Sequence, residues 1–333
     1  MNRNQRTIYT HANVDCDRIK ELFDDGSQFA ILIHRHPDGD AICSAVALYR
    51  ILVNLGKTAR ICCADPLPEY LTKLCPVGVE KDPVFGENEF LIAVDVAELS
   101  LLGGISEQAE NKGVWLKLDH HRTGSDFAKY NMVDPDASAA GEIIYRLAMA
   151  MGMDDQDILL SCYGAIASDT GGFRYANATA GAFEAAADMR RRGISFEDVN
   201  GILFESKDYK TLTATAHGIA NTVFYFENRA AIFAVTRQEM IDAGFDDENM
   251  AELPSALREI RGVCMSVVMR EEKGGGSYRV STRSDKNADC TALCGAFGGG
   301  GHLRAAGATL KADSKEAAIA MILAELEKQF VKE

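Results

Sequence analysis

The sequence has no CxxC pair, and its nine cysteines are an odd number. This pattern argues against a disulfide framework or a structural zinc site, so we interpret the cysteines as free buried thiols in a reducing compartment. The chain also lacks an apolar run long enough to span a bilayer, and its first 20 residues lack the apolar core of a signal peptide. We therefore expect a cytoplasmic protein with no membrane partner.

Basic residues are scarce as well. The chain has 35 Lys and Arg against 49 Asp and Glu, which gives a formal net charge of −14. Such a surface repels long nucleic acid, whose backbone is normally bound by clustered Lys and Arg. A small anionic substrate is still compatible with the composition if metal ions or a few arginines neutralise it locally.

Four short apolar runs in the first half of the chain are typical of buried parallel strands. They alternate with segments of helical periodicity, and this order predicts an α/β fold with a parallel sheet covered by helices on both faces. The predicted strands are FAILIH (29–34), TARICC (58–63), FLIAVD (90–95) and VWLKLD (114–119), and the predicted helices are 41–56, 139–152, 157–168 and 179–193.

The pattern changes in the last third of the chain. Segments 221–236 and 264–284 are each predicted to form a hairpin, the second turning at three consecutive glycines. These strand pairs alternate with helices, which predicts a smaller α/β domain with a mixed sheet. A length of 333 residues suits two domains. We predict a metal-binding domain at 1–195, a helical linker at 196–219 and a substrate-binding domain at 220–333.

Only seven histidines are present, yet four lie near aspartates where predicted strands end. Because the carboxyl ends of parallel strands meet at one crevice, these side chains are expected to converge. Each cluster alone is a weak signal, since an aspartate after a strand often caps a turn, but together they indicate a site. The clusters are His34, His36, Asp38 and Asp40; Asp95; Asp119, His120 and His121; and Asp169, which ends a predicted helix.

Mixed imidazole and carboxylate ligands suit Mn²⁺ better than Mg²⁺, which favours oxygen donors. The clusters supply enough ligands for two ions with a shared carboxylate. Two such ions can clamp the attacking and leaving oxygens of a displacement at phosphorus. Within the clusters, His36 is interpreted as a turn residue, and Asp119 as a carboxylate that orients a neighbouring group instead of binding metal.

A run of four glycines, GGGGH at 298–302, lies in the predicted second domain. Consecutive glycines let the backbone approach an anion closely and aim N–H groups at it. Arg304 and His302 add donors nearby, and Arg283 could hold a phosphate through two parallel hydrogen bonds. An isolated glycine run is usually a flexible loop, but in a chain with a predicted phosphoryl-chemistry centre we interpret it as a substrate clamp.

Taken together, these motifs resemble the DHH phosphoesterases that carry a C-terminal DHH-associated domain. The similarity covers nearly the whole chain, and the motifs occur in the family's order. Length and layout are most similar to the bifunctional oligoribonucleases (nanoRNases), which also remove the 3′-phosphate of 3′-phosphoadenosine 5′-phosphate (pAp). The matching segments are HxxPDGDA at 34–41, Asp95, DHH at 119–121, SDTGGF at 168–173 and GGGGH at 298–302.

The resemblance implies a role for each matching position. One metal would be bound by His34 and Asp38, the other by Asp40, His120 and Asp169, and Asp95 would bridge both. His121 would face the substrate phosphate, stabilising charge or protonating the leaving oxygen. The substrate's terminal phosphate and sugar would be bound by Arg283, Ser284, Gly299, Gly300, Gly301 and His302.

Several alternatives remain at this point. A hydrolase of cyclic di-AMP or of its linear product would carry the same motifs. A RecJ-type exonuclease is less favoured because it needs an extended basic groove, which is not apparent in the sequence. A family II pyrophosphatase is less favoured because its substrate-binding end differs from GGGGH. A non-catalytic nucleotide-binding regulator would lack metal ligands, and none is missing here. The apolar strands of the first domain also permit a homodimer. Two segments depart from the family pattern without removing a proposed ligand, namely Cys43-Ser44 in place of Gly-Ser and the alanines at 139–140.

Overall fold

The chain forms two compact units, the first ending at Ser206 and the second beginning at Lys207. The computed structural model describes residues 15–331, apart from the side chain of His302. Over that range, none of the helices is both long enough and apolar enough to cross a membrane. All nine cysteines fall within the range, and all are free thiols.

The first unit alternates helices and strands along the chain. Short 3₁₀ segments occur at Phe23–Asp25 and Leu99–Ile105, and a π-helical turn occurs at Gly201–Glu205. The remaining elements are α1 (Cys16–Leu22), β1 (Gln28–Leu32), α2 (Gly39–Asn54), β2 (Thr58–Cys62), α3 (Glu69–Thr72), β3 (Glu89–Val94), α4 (Ser106–Lys112), β4 (Val114–Asp119), β5 (Tyr130–Val133), α5 (Ala140–Ala150), α6 (Gln156–Asp169), α7 (Ala180–Arg191) and α8 (Glu197–Asn200).

The first sheet has five strands in the order β2-β1-β3-β4-β5, and every neighbouring pair is parallel. Successive residues of a strand point to opposite faces, so each face receives its own apolar layer. Ile31 packs into the layer that contains Leu48 of α2, whereas Leu32 packs into the layer that contains Ala109 of α4. The predicted parallel α/β architecture is confirmed.

Helices α2 and α6 approach each other closely because small residues line their contact. A Cβ atom placed on Gly164 would lie only 2.9 Å from the Sγ atom of Cys43. Cys43 is therefore a packing residue between two helices. Burial raises the pKa of its thiol, so it does not act as a thiolate at neutral pH.

The second unit contains six strands. Its elements are α9 (Tyr209–Ala220), β6 (Val223–Tyr225), β7 (Ala230–Val235), α10 (Arg237–Asp242), α11 (Leu253–Arg258), β8 (Met265–Glu271), β9 (Ser277–Ser284), α12 (Cys290–Gly295), β10 (Gly300–His302), β11 (Ala305–Lys311) and α13 (Lys315–Phe330). The sheet order is β10-β11-β9-β8-β7-β6. Only β7 and β8 pair in parallel, so the predicted mixed sheet is confirmed. Both expected hairpins, β6–β7 and β8–β9, are present.

Candidate metal centre and substrate-binding strands

Three neighbouring strands place the first group of polar residues. The strands β1, β3 and β4 are adjacent and parallel, so their carboxyl ends lie at one edge of the sheet. His34 follows β1, Asp95 immediately follows β3 and Asp119 ends β4. Asp95 adopts a left-handed backbone conformation (φ 58°) and is almost fully buried. The sheet topology alone therefore brings these side chains together.

Two helix ends complete the cluster. Asp38 is the N-cap of α2, where its Oδ1 accepts the backbone N–H of Ala41 at 3.1 Å. Asp40 lies in the first turn of the same helix, and Asp169 ends α6. A Cβ atom on Gly39 would collide with Ser168. The glycine between the two aspartates is therefore needed for the helix ends to approach.

The distances define overlapping groups of possible metal ligands. His34 Nε2 lies 3.6 Å from Asp95 Oδ2 and 3.9 Å from Asp38 Oδ1. His120 Nε2 lies 3.6 Å from Asp95 Oδ1, 3.7 Å from Asp40 Oδ2 and 3.7 Å from Asp169 Oδ2. Asp95 thus faces the group around His34 with Oδ2 and the group around His120 with Oδ1. Among the described residues, the groups able to surround an ion are His34, Asp38 and Asp95; Asp40, His120 and Asp169; and Asp95, His120 and His121.

The histidine rings are oriented for coordination through Nε2. His34 Nδ1 lies 2.8 Å from the carbonyl oxygen of Arg35, and His120 Nδ1 lies 3.3 Å from that of Ala137. An Nδ1–H that donates to a carbonyl oxygen leaves the lone pair on Nε2. In both rings Nε2 is the atom that points at the carboxylates.

The crowding of carboxylates shifts their protonation. Burial and the neighbouring Asp40 raise the pKa of Asp169 to about 7. The pKa of Asp95 is raised well above its usual value, chiefly by burial and then by Asp40 and Asp38. Burial also raises the pKa of Asp40. For His120, burial acts against the charged ring, but the surrounding carboxylates outweigh it and raise the pKa.

A divalent cation would offset the free-energy cost of burying these carboxylates in their ionised form. Asp95 Oδ1 is buried and has no hydrogen-bond partner among the described residues. An unpaired buried carboxylate oxygen is costly, and a cation shared with imidazole nitrogens supplies the missing partner. The mixed nitrogen and oxygen donors fit a divalent metal ion.

These pKa shifts predict an unusual pH dependence of stability. Asp169 has a folded pKa of about 7 and an unfolded pKa near 4, so the folded state binds more protons between them. Without metal, the free energy of unfolding is therefore expected to fall as pH rises from about 4 to about 7. The raised pKa of His120 acts in the same direction over its own range. Thermal unfolding with EDTA at a series of pH values measures this trend.

Added divalent metal should reverse the trend. The carboxylates bind a cation in their ionised form, so the rise in melting temperature caused by metal should be larger at pH 8 than at pH 5.5. An unchanged melting temperature on addition of Mn²⁺ at pH 8 would contradict the assignment of this cluster as a metal centre.

His121 is held differently from the other two rings. Its Nδ1 lies 2.7 Å from Asp119 Oδ1. Burial raises the pKa of Asp119, but the hydrogen bond and charge of His121, together with Lys117 and His120, outweigh burial and lower that pKa to about 2. Burial also acts against the charged form of His121, but Asp119, Asp40 and Asp169 together outweigh it and raise the pKa of the ring. Asp119 is thus in contact with His121 and belongs to none of the ion-binding groups found among the described residues.

His36 lies outside the cluster. Its ring is largely exposed, and its Nδ1 pairs with Asp65 Oδ2 at 2.9 Å. The backbone N–H of His36 donates to the same oxygen at 3.0 Å. The residue has a left-handed conformation (φ 54°), so it shapes the turn between His34 and Asp38.

Some residues that hold the cluster gave no recognisable signal in the sequence. The backbone N–H groups of Ala140 and Gly141 donate to Asp40 at 2.8 and 3.1 Å, from the start of α5. The side chain of Asn177 donates to Asp169 Oδ2 at 3.1 Å. The contacts to Asp40 use backbone atoms and are therefore independent of side-chain type. No feature of the sequence indicated a role for Asn177.

In the second unit, three strands align the predicted substrate residues. Arg283 of β9 is in register with Ala305 of β11, which is in register with His302 of β10. Ser284 Oγ donates to the carbonyl oxygen of Leu303 at 3.3 Å. The side chain of His302 lies outside the described part of the chain. Arg283 and the glycine strand therefore lie near each other at one end of this sheet.

The glycine run is built into the sheet edge. Gly299 and Gly301 each lie so close to backbone of β11 that a Cβ atom would collide with it. Gly301 also has a positive φ of 142°. Gly300 and Gly301 belong to β10, so the run is partly a strand and not the isolated loop that glycine runs usually form.

A parallel sheet whose carboxyl edge gathers acidic and imidazole side chains that could hold a metal ion, followed by a second mixed-sheet unit, is the arrangement of an α/β phosphoester hydrolase. Residues 28–168 match the N-terminal domain of the DHH family, and residues 228–328 match the DHHA1 domain. The chain belongs to the DHH family and is a hydrolase of phosphoester bonds.

Known proteins support the family assignment. The chain is 32% identical over 285 residues to the bifunctional oligoribonuclease and PAP phosphatase NrnA of Thermus thermophilus, covering 84% of this chain and 83% of that protein. It is 25% identical to the cyclic-di-AMP phosphodiesterase GdpP of Geobacillus thermodenitrificans, covering 92% of this chain but only 48% of that protein. The structure of an exopolyphosphatase-related protein from Bacteroides fragilis shares the fold, with a TM-score of 0.86, 23% identity and coverage of 94% of this chain and 95% of that one.

Proposed function

We propose that this protein hydrolyses short oligoribonucleotides to mononucleotides and removes the 3′-phosphate of pAp, using two Mn²⁺ ions. The observation that carries the proposal is the position of Asp95, whose two oxygens face two different groups of ligands. The similarity to the Thermus oligoribonuclease and PAP phosphatase, which extends over most of both chains, supports the choice of substrates.

The proposed ligand sets follow the two groups around Asp95. The first ion would be held by His34, Asp38 and Asp95, and the second by Asp40, Asp95, His120 and Asp169. Nitrogen and oxygen donors in this proportion favour Mn²⁺ over Mg²⁺. Bound ions of this kind would polarise the phosphate and lower the pKa of a water molecule beside it.

His121 is the proposed proton donor. Its contact with Asp119 favours the charged ring, which can give up the proton on Nε2. As a water molecule releases a proton to solvent and its oxygen forms the new bond to phosphorus, the bond to the leaving ribose oxygen breaks and its electron pair stays on that oxygen. His121 then supplies the proton that turns the oxygen into a hydroxyl group. A proton from water afterwards restores the charged ring.

Short substrates also fit the charge of the chain. A net charge of −14 disfavours a long polyanion, whereas a dinucleotide brings few phosphates. We propose that Arg283, Ser284 and the glycines at 299–301, together with His302, bind the terminal phosphate and sugar. The backbone N–H groups of a glycine strand that has no side chains in the way suit this role.

A panel of substrates tests the proposal. Purified protein with Mn²⁺ is incubated with diadenylate, longer oligoadenylates, pAp and cyclic di-AMP, and products are separated by chromatography. We expect AMP from diadenylate and from pAp, with rates that decline as the oligonucleotide lengthens. Hydrolysis of cyclic di-AMP much faster than of diadenylate would favour the activity named for the GdpP relatives. Failure to cleave any of these substrates would overturn the proposal.

The substrate role of Arg283 has a matched control on its own strand. Arg283→Met should raise KM for diadenylate about 10-fold or more, with a smaller effect on kcat, because a charged hydrogen bond to phosphate is lost. Arg279 lies on the same face of β9, four residues towards its other end. Arg279→Met should leave KM within about twofold of the wild type. Equal effects from the two substitutions would show that the loss reflects overall charge and not a phosphate contact.

A further inference from the structure

A lysine is buried beneath the proposed proton donor. Lys117 lies in β4, where its neighbours Leu116 and Leu118 both belong to the apolar layer that contains Leu48. It is only 1% exposed. Lysine is almost never so fully buried unless its charge is paired, and the sequence VWLKLD gave no sign of a role for it.

The ammonium group of Lys117 lies near a carboxylate, two carbonyl oxygens and an aromatic ring. Lys117 Nζ lies 3.1 Å from Asp119 Oδ2. It also donates to the carbonyl oxygens of Ala97 at 3.1 Å and of Ser125 at 3.0 Å, and it lies 5.0 Å from the centre of the Phe127 ring. The lysine thus joins the loop after Asp95, the loop after His121 and the carboxylate between them.

Asp119 lies between the Lys117 ammonium and the His121 ring. Its Oδ2 faces Lys117, while its Oδ1 accepts from His121 Nδ1 at 2.7 Å and from the backbone N–H of His120 at 2.9 Å. Asp119 Oδ2 is buried and has no hydrogen-bond partner among the described residues, so the ion pair with Lys117 is what compensates its charge, and rotation of the carboxylate would separate that pair. The plane of the carboxylate in turn fixes the plane of the imidazole.

We propose that Lys117 is a positioning residue for catalysis: it locks the Asp119 carboxylate so that the His121 ring is aimed to deliver its proton. The inference rests on the proposed function, because it assigns the proton to His121. Lys117 itself does not touch the substrate. Removal of the lysine leaves Asp119 Oδ2 buried without its cation and lets the carboxylate turn away from the ring.

The dependence on the leaving group separates this role from a purely structural one. A ribose oxygen is a poor leaving group and needs a proton, whereas p-nitrophenolate leaves without one. Lys117→Met should lower kcat for diadenylate about 10- to 100-fold, with KM within about twofold. The same variant should lower kcat by less than about threefold for the p-nitrophenyl ester of thymidine 5′-phosphate. Lys129→Met, at an exposed lysine just before β5, is the matched control and should match wild type on both substrates.

His121→Asn, assayed on the same two substrates, distinguishes the inference from the proposed function. The positioning role is wrong if His121→Asn lowers the rate much more for diadenylate than for the p-nitrophenyl ester while Lys117→Met lowers both rates equally. If His121→Asn does not discriminate, the assignment of the proton donor is wrong, and the inference falls with it. A fall in the Mn²⁺-induced rise in melting temperature of Lys117→Met would likewise point to general damage and overturn the inference.

Chemical rescue gives a second test that does not depend on the methionine variant. A cavity of about 130 Å³ lined by Lys117 and His121 adjoins the site, so a small amine has a route to the lysine position. Lys117→Ala should regain at least about fivefold in kcat for diadenylate with n-propylammonium chloride. Tetramethylammonium chloride at the same concentration has no N–H donor and should give no gain. Equal responses to both salts would contradict a specific contact with Asp119.

Discussion

Replacement of Asp95 by asparagine is expected to lower kcat for short-RNA hydrolysis by about a thousandfold or more. Asp95 is the only residue among the described ion-binding groups that faces both His34 and His120, through different oxygens. An amide keeps the shape but supplies one neutral oxygen in place of two charged ones. Neither proposed ion would then be held at its working position. The measurement is steady-state hydrolysis of diadenylate with saturating Mn²⁺.

The same substitution should affect stability in the opposite direction. The ionised form of Asp95 is disfavoured in the folded state by burial and by Asp40 and Asp38. Asp95→Asn removes that buried charge, so the metal-free variant should melt at a higher temperature than metal-free wild type at pH 8. Addition of Mn²⁺ should then stabilise the variant far less than the wild type. A dead enzyme that is more stable without metal cannot be explained by misfolding.

The control for Asp95 lies at the same edge of the same sheet. Asp134 follows β5 and is buried, but its Oδ2 is paired with Arg146 at 2.6 Å, and it belongs to none of the ion-binding groups found within residues 15–331. Asp134→Asn should lower the melting temperature while keeping kcat within about threefold and the response to Mn²⁺ intact. If Asp95→Asn retained activity comparable to this control, the two-ion mechanism would be wrong.

Replacement of His121 by asparagine should lower kcat by about 10²- to 10⁴-fold, the usual contribution of a positioned proton donor, with little change in KM. Asparagine can still donate a hydrogen bond but cannot deliver a proton at neutral pH. Binding of Mn²⁺ should be largely kept, because the proposed ligand sets do not include His121. Rapid-mixing assays with diadenylate, in parallel with calorimetric titration of Mn²⁺, separate the two effects.

His36 offers a matched histidine in the same neighbourhood. Its ring pairs with Asp65 and lies outside the described ligand groups. Asparagine tolerates the left-handed conformation that His36 adopts, so His36→Asn should fold normally. We expect its kcat to stay within about threefold of the wild type. A loss as large as that of His121→Asn would mean that the turn, and not the proton donor, limits the reaction.

The sequence was sufficient for the strands with continuous apolar character. β1 to β4 were predicted because buried parallel strands need apolar residues on both faces. β5 (Tyr130–Val133) was not predicted, since YNMV is short and contains a polar residue that is nevertheless buried. β11 (Ala305–Lys311) was also missed, because AAGATLK has few β-branched or aromatic residues. Its strand state depends on pairing with β9, which is a tertiary contact.

The convergence of the candidate site could also be predicted, because parallel strands carry whatever follows them to one edge. The contacts that hold the site residues in place could not be predicted from the sequence. Asn177 reaches Asp169 across a loop, and Ala140 and Gly141 reach Asp40 through backbone atoms about 100 positions away. Lys117 is a charged residue in an otherwise apolar strand, and only the fold places its ammonium beside Asp119. Such contacts follow from the packing of distant segments, which single-sequence patterns do not record.

Locating the bound metal would show whether Asp95 bridges two ions. Crystals of the protein grown with Mn²⁺ would be measured at the manganese absorption edge, where anomalous scattering locates each ion. We expect two peaks on either side of the Asp95 carboxylate, one beside His34 and Asp38 and the other beside Asp40, His120 and Asp169. A single peak, or two peaks that do not share Asp95, would contradict it.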